Sequence, residues 1–397
     1  MKTLMILGAS IWQLPAIKKA KELGLNVIVV DMNSNAVGFK ESGIICEKIS
    51  TLDIQGVLRA AKKHCIDGIM TVASDMPMRT VAKIAKEMNL VGISEETAFN
   101  ATNKGAMRRC LQSRNVPIPL FREVYEEDEY LEAIKSIKGK LIVKPVDNAG
   151  SRGVTLVEDI TNIDELIFAY NYAKDSSRSG GIMVEEYMEG SEVSVETLSV
   201  NGECNIIQIT DKITTGAPHF VEMGHSEPSM HSEKIKEQIK RIATAAVNAL
   251  GIKNGPSHTE VKITTTGVKI VELGARLGGD FITTNLVPLS TGIDMIECCI
   301  KIALGEMPDI RFKYNRGSAI RYMKTNKGII ENIYGIEEAY KIHGIKEINL
   351  IHGIGEKVSE IQNSVERIGY VIAEANTNKE AIELCDLALR QIRVIVK

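Results

Sequence analysis

Two carboxylates, Glu260 and Glu272, are the residues whose types and spacing speak most directly of chemistry. Residues 258–264 alternate polar and apolar, Thr265-Thr266-Gly267 interrupts the pattern, and residues 268–273 alternate again. That reads as a hairpin whose three-residue loop ends on a glycine in the left-handed conformation. Such a loop pairs Thr264 with Val268, and the same register sets Glu260 directly opposite Glu272. Opposed side chains have Cβ atoms roughly 5 Å apart. At that separation two unit charges repel by roughly 3 kcal/mol at an effective dielectric near 20. A divalent cation between them turns the repulsion into a site, and hard oxygen ligands suit magnesium or manganese. A solvated hairpin edge, with Glu260 paired to Lys262 or Lys269, is the alternative reading.

Three further stretches carry chemical potential. Glu272 runs out into Gly274-Ala-Arg276-Leu-Gly-Gly-Asp280, where glycines let backbone approach a ligand and one guanidinium can grip a carboxylate or phosphate. Residues 147–153, Asp-Asn-Ala-Gly-Ser-Arg-Gly, lie between predicted strands at 140–144 and 154–157. Consecutive N–H groups freed by small residues make an anion nest beside Lys144, although an ordinary hairpin turn has the same composition. A strand alternating over 192–200 puts Glu192, Ser194 and Glu196 on one face; on an open strand that is usually mere solvation, but its place between the nest and the carboxylate pair favours a functional reading. Asn201-Gly202 then makes a two-residue turn into the next strand.

These residues need elements to position them. The first hundred residues alternate strand (4–7, 26–30, 68–72) and helix (15–23, 78–88), the pattern of a parallel sheet with covering helices. Gly8-Ala-Ser-Ile-Trp-Gln13 is not the dinucleotide fingerprint, so Asp31 and Asp75 are expected to cap helices or line a substrate cleft. Ser94 and Asn103 open two helices that Pro117 and Pro119 stop. From residue 317 onward the chain is mixed β and α, ending in a helix over 378–393. The division expected is 1–98, 99–188, 189–310 and 311–397.

Composition narrows the class. The chain has 397 residues and a net charge of −3, suited to several packed units and to neither a nucleic-acid nor a membrane surface. Residues 1–8 form too short an apolar run for a signal peptide and read as a first buried strand. Seven cysteines in no metal or C-x-x-C spacing point to a reducing cytoplasm, with Cys298 and Cys299 as core filler and no catalytic cysteine.

Taken in order, Lys104, Lys144, the 147–153 loop, Glu185-Glu186-Tyr187-Met188, Gly190-x-Glu192-x-Ser-Val-Glu196, Glu260 and Glu272-x-x-x-Arg276 resemble the ATP-grasp superfamily. Residues 211–225 and the Gly-Ala-Arg-Leu-Gly-Gly stretch are similar to carboxylate–amine ligases, especially L-amino-acid (dipeptide) ligases. The resemblance implies an α/β and α+β architecture: an N-terminal parallel α/β domain, a two-part ATP-grasp fold and a small C-terminal α+β domain. It implies ATP with magnesium or manganese as cofactors, a small-molecule carboxylate and an amine as substrates, and a homodimer as the assembly to test. Lys104 and Lys144 would hold phosphates, with Ser151, Arg152 and Gly153 in a closing lid. Glu185, Glu186, Tyr187 and Met188 would line adenine, and Glu192 would accept from the ribose. Glu260 and Glu272 would bind metal, and Arg276 would stabilise an acyl phosphate or clamp a carboxylate. Glu222 and His225 would shape the substrate pocket. Relatives often carry an Asn where this chain has Gly274, which leaves one metal ligand unassigned. The implied activity is ADP-forming ligation. A bicarbonate-activating relative and an ATP-sensing module are the competing readings.

Overall fold

The computed structural model describes residues 1–148, 150 and 152–397, and its strands form sheets of four, four, eight and three strands. The expected parallel sheet comes first, in the order Ile45–Glu47, Asn26–Val30, Thr3–Leu7, Gly68–Thr71. Its central strands are apolar on both faces because helices cover both, as a parallel sheet requires. Asp31 accepts from the N–H groups of Ala9 and Asn33, each at 2.8 Å, and so fixes the turns at the sheet's C-terminal edge. Asp75 follows the last strand and reaches the cleft described below.

Ser94 and Asn103 cap the helices Glu95–Thr102 and Lys104–Ser113 as anticipated, accepting from Thr97 and Ala106 N–H at 3.0 and 2.8 Å. The next unit is an antiparallel sheet ordered Phe121–Val124, Ile182–Glu186, Leu141–Pro145, Thr155–Val157. The helices Glu127–Ser136 and Ile163–Ser176 pack on it around a core of its own, including Val124, Tyr130, Leu141, Val143 and Ala169. At Gly190, where the chain passes from this unit to the next sheet, a Cβ would run into the Ile263 carbonyl, so only glycine fits.

The eight-stranded antiparallel sheet runs Gly267–Gly274, Gly255–Thr264, Ser191–Val200, Glu203–Thr214, Glu222–Glu227, Gly317–Met323, Gly369–Ala375, Ile345–Leu350. One expectation changes here: the strand bearing Glu192, Ser194 and Glu196 is not open but pairs on both sides, and Ser194 and Glu196 are fully buried. The C-terminal segment packs a core of its own around Met323, Ile348, Val371 and Cys385, while its strand Gly317–Met323 pairs with Glu222–Glu227 and prolongs the same sheet. The Asn201-Gly202 turn has both residues at positive φ, as a two-residue hairpin demands. Cys298 and Cys299 are buried on the helix Met295–Ala303 within the second core cluster. No helix among the described residues is long and apolar enough to cross a membrane.

Beneath the cleft, on the strand Glu222–Glu227, the fully buried Glu227 accepts from the Thr210 and Ser290 hydroxyls, each at 2.8 Å. Burial pushes its carboxyl up to about 8 from an ordinary 4.5. Across that window the unfolded chain has lost a proton that the folded chain keeps, so stability falls as pH rises from 4.5 to 8. Glu227→Gln should flatten that slope and gain roughly 1–3 kcal/mol at pH 9 relative to the parent. Denaturant melts at pH 5 and pH 9 measure this; parallel pH profiles would mean the carboxyl is charged in the folded protein.

Candidate active site

The hairpin Gly255–Thr264 and Gly267–Gly274 does set Glu260 opposite Glu272, but by another route. The turn has two residues, Thr265 and Thr266, so Thr264 pairs with Gly267 and Val261 with Ile270. A bulge at Val271 then advances the second strand by one residue and brings Glu272 across from Glu260. The Val271 carbonyl accepts from Arg108 Nη2 at 2.7 Å. Arg108 also forks onto Glu185, Nε to Oε1 at 2.7 Å and Nη2 to Oε2 at 3.0 Å. Lys144 Nζ lies 2.8 Å from the same Glu185 Oε2. Burial alone would raise the Glu185 carboxyl, yet the Arg108 and Lys144 charges outweigh it and hold it at about 2. Glu185 was expected to line adenine; its carboxylate instead belongs to this buried triad. The N–H groups of Glu186 and Tyr187 are taken by the Leu120 and Lys140 carbonyls, both at 2.9 Å.

A cleft of about 360 Å³ lies between the four-stranded antiparallel sheet and the hairpin. It is lined by Lys104, Lys144, Arg152, Glu185, Glu186, Tyr187, Met188, Glu192, Glu222, Glu260, Glu272 and Arg276, thus by most of the residues singled out from the sequence. Ser151, like Ala149 in the same loop, lies outside the described residues. Gly153 does not line the cleft: it sits at φ +78° against Ser176 and Pro145, and shapes the turn into the next strand. His225 is also absent from the lining. It pairs with Lys212 across the sheet, on the face that the cleft uses, but is 1% exposed and points Nε2 at Asp280 Oδ2, 3.4 Å away. Arg367, from the C-terminal segment, grips that aspartate at 2.7 and 2.8 Å and closes His225 off.

Each carboxylate in the cleft has a cationic partner. Lys104 Nζ is 2.9 Å from Glu272 Oε1 and donates to the Asn148 carbonyl at 2.7 Å. Lys212, which sequence reasoning missed, is buried among Glu192 at 2.7 Å, Glu260 at 3.0 Å and Glu222 at 3.7 Å. Burial would lower its pKa, but the Glu260, Glu192 and Glu222 charges raise it well above normal. Glu260 is held well below the usual carboxylate range: burial works against this, and Lys212 and His258 overcome it. His258 in turn bonds Glu196 Oε1 through Nδ1 at 2.5 Å. Glu192 also takes Lys262 at 3.2 Å, Glu186 pairs with Lys269, and Tyr187 faces Phe220 with ring centroids 6.3 Å apart.

Arg276 is held by Asp75 of the first sheet, Nε to Oδ1 at 2.8 Å and Nη2 to Oδ2 at 3.2 Å. This explains Gly274: a Cβ there would stand 2.9 Å from Asp75 Oδ1 and 3.3 Å from the Arg276 guanidinium. An asparagine side chain at 274 has no room while that pair is formed. Among the described residues no three His, Cys, Asp or Glu side chains gather closely enough to hold a metal by themselves. Two opposed carboxylates still fit magnesium bound jointly with phosphate, which typically keeps water and phosphate oxygens in its remaining positions. Arg108 had one sequence signal, its place one helical turn from Lys104 on the same face. Lys212 had none beyond its place in an alternating strand.

Replacing Arg108 by Ala leaves Glu185 buried with one cation and the bulge carbonyl without its donor. A loss of about 3–5 kcal/mol is expected in urea unfolding, with Arg108→Lys intermediate because an ammonium lacks the fork. A loss under about 1 kcal/mol would show that the triad does not hold the site together.

Comparison with known proteins agrees with this geometry. Residues 137–285 match the ATP-grasp domain model and residues 321–397 match L-amino acid ligase C-terminal domain 2. The uncharacterized protein y4rH of Sinorhizobium fredii is 28% identical over 336 residues, 84% of this chain and 69% of that protein. Alanine–anticapsin ligase of Bacillus subtilis (strain 168) is 25% identical over 269 residues, 63% of this chain but only 56% of that enzyme. The chain thus spans little more than half the length of that relative. The fold matches the crystal structure of L-amino acid ligase from Bacillus licheniformis with a TM-score of 0.86 at 24% identity, covering 100% of this chain and 99% of that one. One cleft joins two lysines, two opposed glutamates and an arginine between antiparallel sheets, and the chain around it carries an ATP-grasp domain followed by an L-amino acid ligase C-terminal domain 2.

Proposed function

We propose that the protein is an ATP-dependent ligase that joins a carboxylate, that of an amino acid, to an amine and releases ADP and phosphate. The observation that carries this reading is the opposition of Glu260 and Glu272 in a cleft that also holds Lys104, Lys144 and Arg276. Beside two lysines and an arginine the two carboxylates form a receptacle for a metal–triphosphate.

Lys104 and Lys144 bind phosphate oxygens, Lys144 from a rigid position because Glu185 fixes it. The adenine edge is read by chain beyond Tyr187, since the two preceding N–H groups are engaged. Glu192 accepts from the ribose. Glu260 and Glu272 hold magnesium, which when bound neutralises charge on the phosphates. Arg276, aimed by Asp75, holds the substrate carboxylate in line with the γ-phosphorus. A carboxylate oxygen forms the new P–O bond as the bond to the ADP oxygen breaks. The amine nitrogen then attacks the acyl carbon, phosphate leaves, and the nitrogen gives up a proton. Glu222, on the cleft wall beside Lys212, faces the amine. No nucleophilic side chain is needed at any step.

Glu272→Gln should keep the fold while reducing turnover by at least 100-fold, with a raised magnesium requirement for any residue of activity. Parent-like rates at low magnesium would remove Glu272 from the metal site. The products distinguish the chemistry. ADP and phosphate should accumulate only when carboxylate and amine are both supplied. Stoichiometric AMP would overturn the acyl-phosphate route, and bicarbonate as sole effective donor would replace the ligase reading by a carboxylating one.

A further inference from the structure

A second hollow, of about 1030 Å³, adjoins the cleft and shares Asp75, Lys104, Arg152 and Glu272 with it. Away from that shared wall the lining is mixed: Asp147, Arg178 and His219 stand there, and large apolar side chains gather beside them. Trp12, Phe168, Tyr172 and Val365 line it and remain 39%, 60%, 42% and 74% exposed. Scattered exposed apolar side chains are ordinary on any protein. These four come from three separate parts of the chain and converge on one hollow beside the reacting groups. Trp12 follows the first strand of the parallel sheet and leans on Phe281, with centroids 5.7 Å apart. Phe168 and Tyr172 stand one turn apart on the helix Ile163–Ser176 and stack at 5.7 Å and 22°. That helix buries Leu166, Ala169 and Ala173 in its own core, so the aromatic pair serves no packing there. Val365 comes from the short turn Ser364–Glu366 of the C-terminal segment, and Met76 and Pro77 line the same hollow.

We propose that this hollow seats the side chain of an amino acid substrate, and that the side chain is large and apolar, aromatic or bulky aliphatic. The inference rests on the ligase reading for the word substrate, and on the lining alone for the chemical class. The substrate's reacting end lies at the shared wall of Glu272, Lys104 and Asp75, and its side chain extends between Trp12 and the Phe168–Tyr172 pair. Rings on both sides suit a flat or branched apolar group. A small side chain would leave that apolar surface wet and gain nothing from it.

Trp12 is the only tryptophan of the chain, so its emission reports on the hollow without any turnover. The full-length protein, loaded with magnesium and a non-hydrolysable ATP analogue, is titrated with phenylalanine, leucine and methionine, and separately with glycine, aspartate and lysine. A saturable change in emission is expected for the first group only. Phe168→Ala should raise KM for the apolar substrates at least tenfold with kcat within about threefold, and leave the emission response to ATP analogue intact as evidence of folding. Tyr172→Ala should act in the same direction. ADP release with small or charged amino acids, and none with apolar ones, would overturn the inference and leave the ligase reading standing. Saturable emission changes with apolar amino acids but no ADP from any pair would sink the ligase reading and keep the hollow's assignment. No preference in either assay overturns the inference.

Discussion

One buried guanidinium holds the catalytic parts in a common frame. Arg108 sits on the helix Lys104–Ser113, forks onto Glu185 of the four-stranded antiparallel sheet, and donates to the Val271 carbonyl of the hairpin that bears Glu260 and Glu272. It therefore ties three elements at a point that is 1% exposed. The geometry matters because of what the hairpin must do. Its two-residue turn alone would set Glu260 opposite Val271 and send Glu272 to the other face, since a one-residue slip flips every side chain. The bulge at Val271 reverses that flip and strands a carbonyl. Arg108 satisfies that carbonyl, so the charge that fixes Lys144 through Glu185 also stabilises the irregularity that brings the two metal-type carboxylates together.

Charge balance follows from the same arrangement. Glu260, Glu192 and Glu222 surround the buried Lys212, while Glu272 holds Lys104. Without nucleotide, then, the opposed carboxylates do not face each other uncompensated: each already carries an ammonium partner. In the proposed reaction Lys104 would turn from Glu272 to a phosphate oxygen, and Glu272 with Glu260 would then be free to hold a divalent cation. Lys212, buried among three carboxylates, ties Glu192, Glu222 and Glu260 to one ammonium group.

Much of this was legible in the residues, though not always for the right reason. The facing of Glu260 and Glu272 followed from alternation, yet the assumed three-residue loop and the real two-residue loop with a bulge reach the same pairing. Strand patterns carry period but not bulges, so the correct mechanism was out of reach. The helix caps at Ser94 and Asn103 and the Asn201-Gly202 turn were local signals and held. What sequence could not show was pairing across long separations. Glu185 looked like an adenine contact because it opens the stretch 185–188 on which that resemblance rests; its partners lie on a helix 77 residues earlier and on the adjoining strand. Glu196 looked to stand on an open strand because nothing local revealed that its strand has neighbours on both sides. His225 looked available because the cover over it, Asp280 and Arg367, comes from two later segments.

That cover points to the last constraint. The chain leaving Glu272 must turn sharply while carrying Arg276, and Asp280 and Phe281 both adopt left-handed backbone, at φ 50° and 63°. Such residues cost on the order of 1–3 kcal/mol each and persist only where surroundings enforce them. Here the enforcement comes from both ends of the molecule. Arg367, with its guanidinium 3.7 Å from the Tyr322 ring, clamps Asp280 from the C-terminal segment. Asp75, from the parallel sheet, clamps Arg276 and needs the bare backbone of Gly274 to do so. Prolonging the central sheet with the C-terminal strands is what places Arg367 within reach. The flanking parts of the chain thus act on the cleft directly: they hold in place a strained turn whose one arginine faces the chemistry.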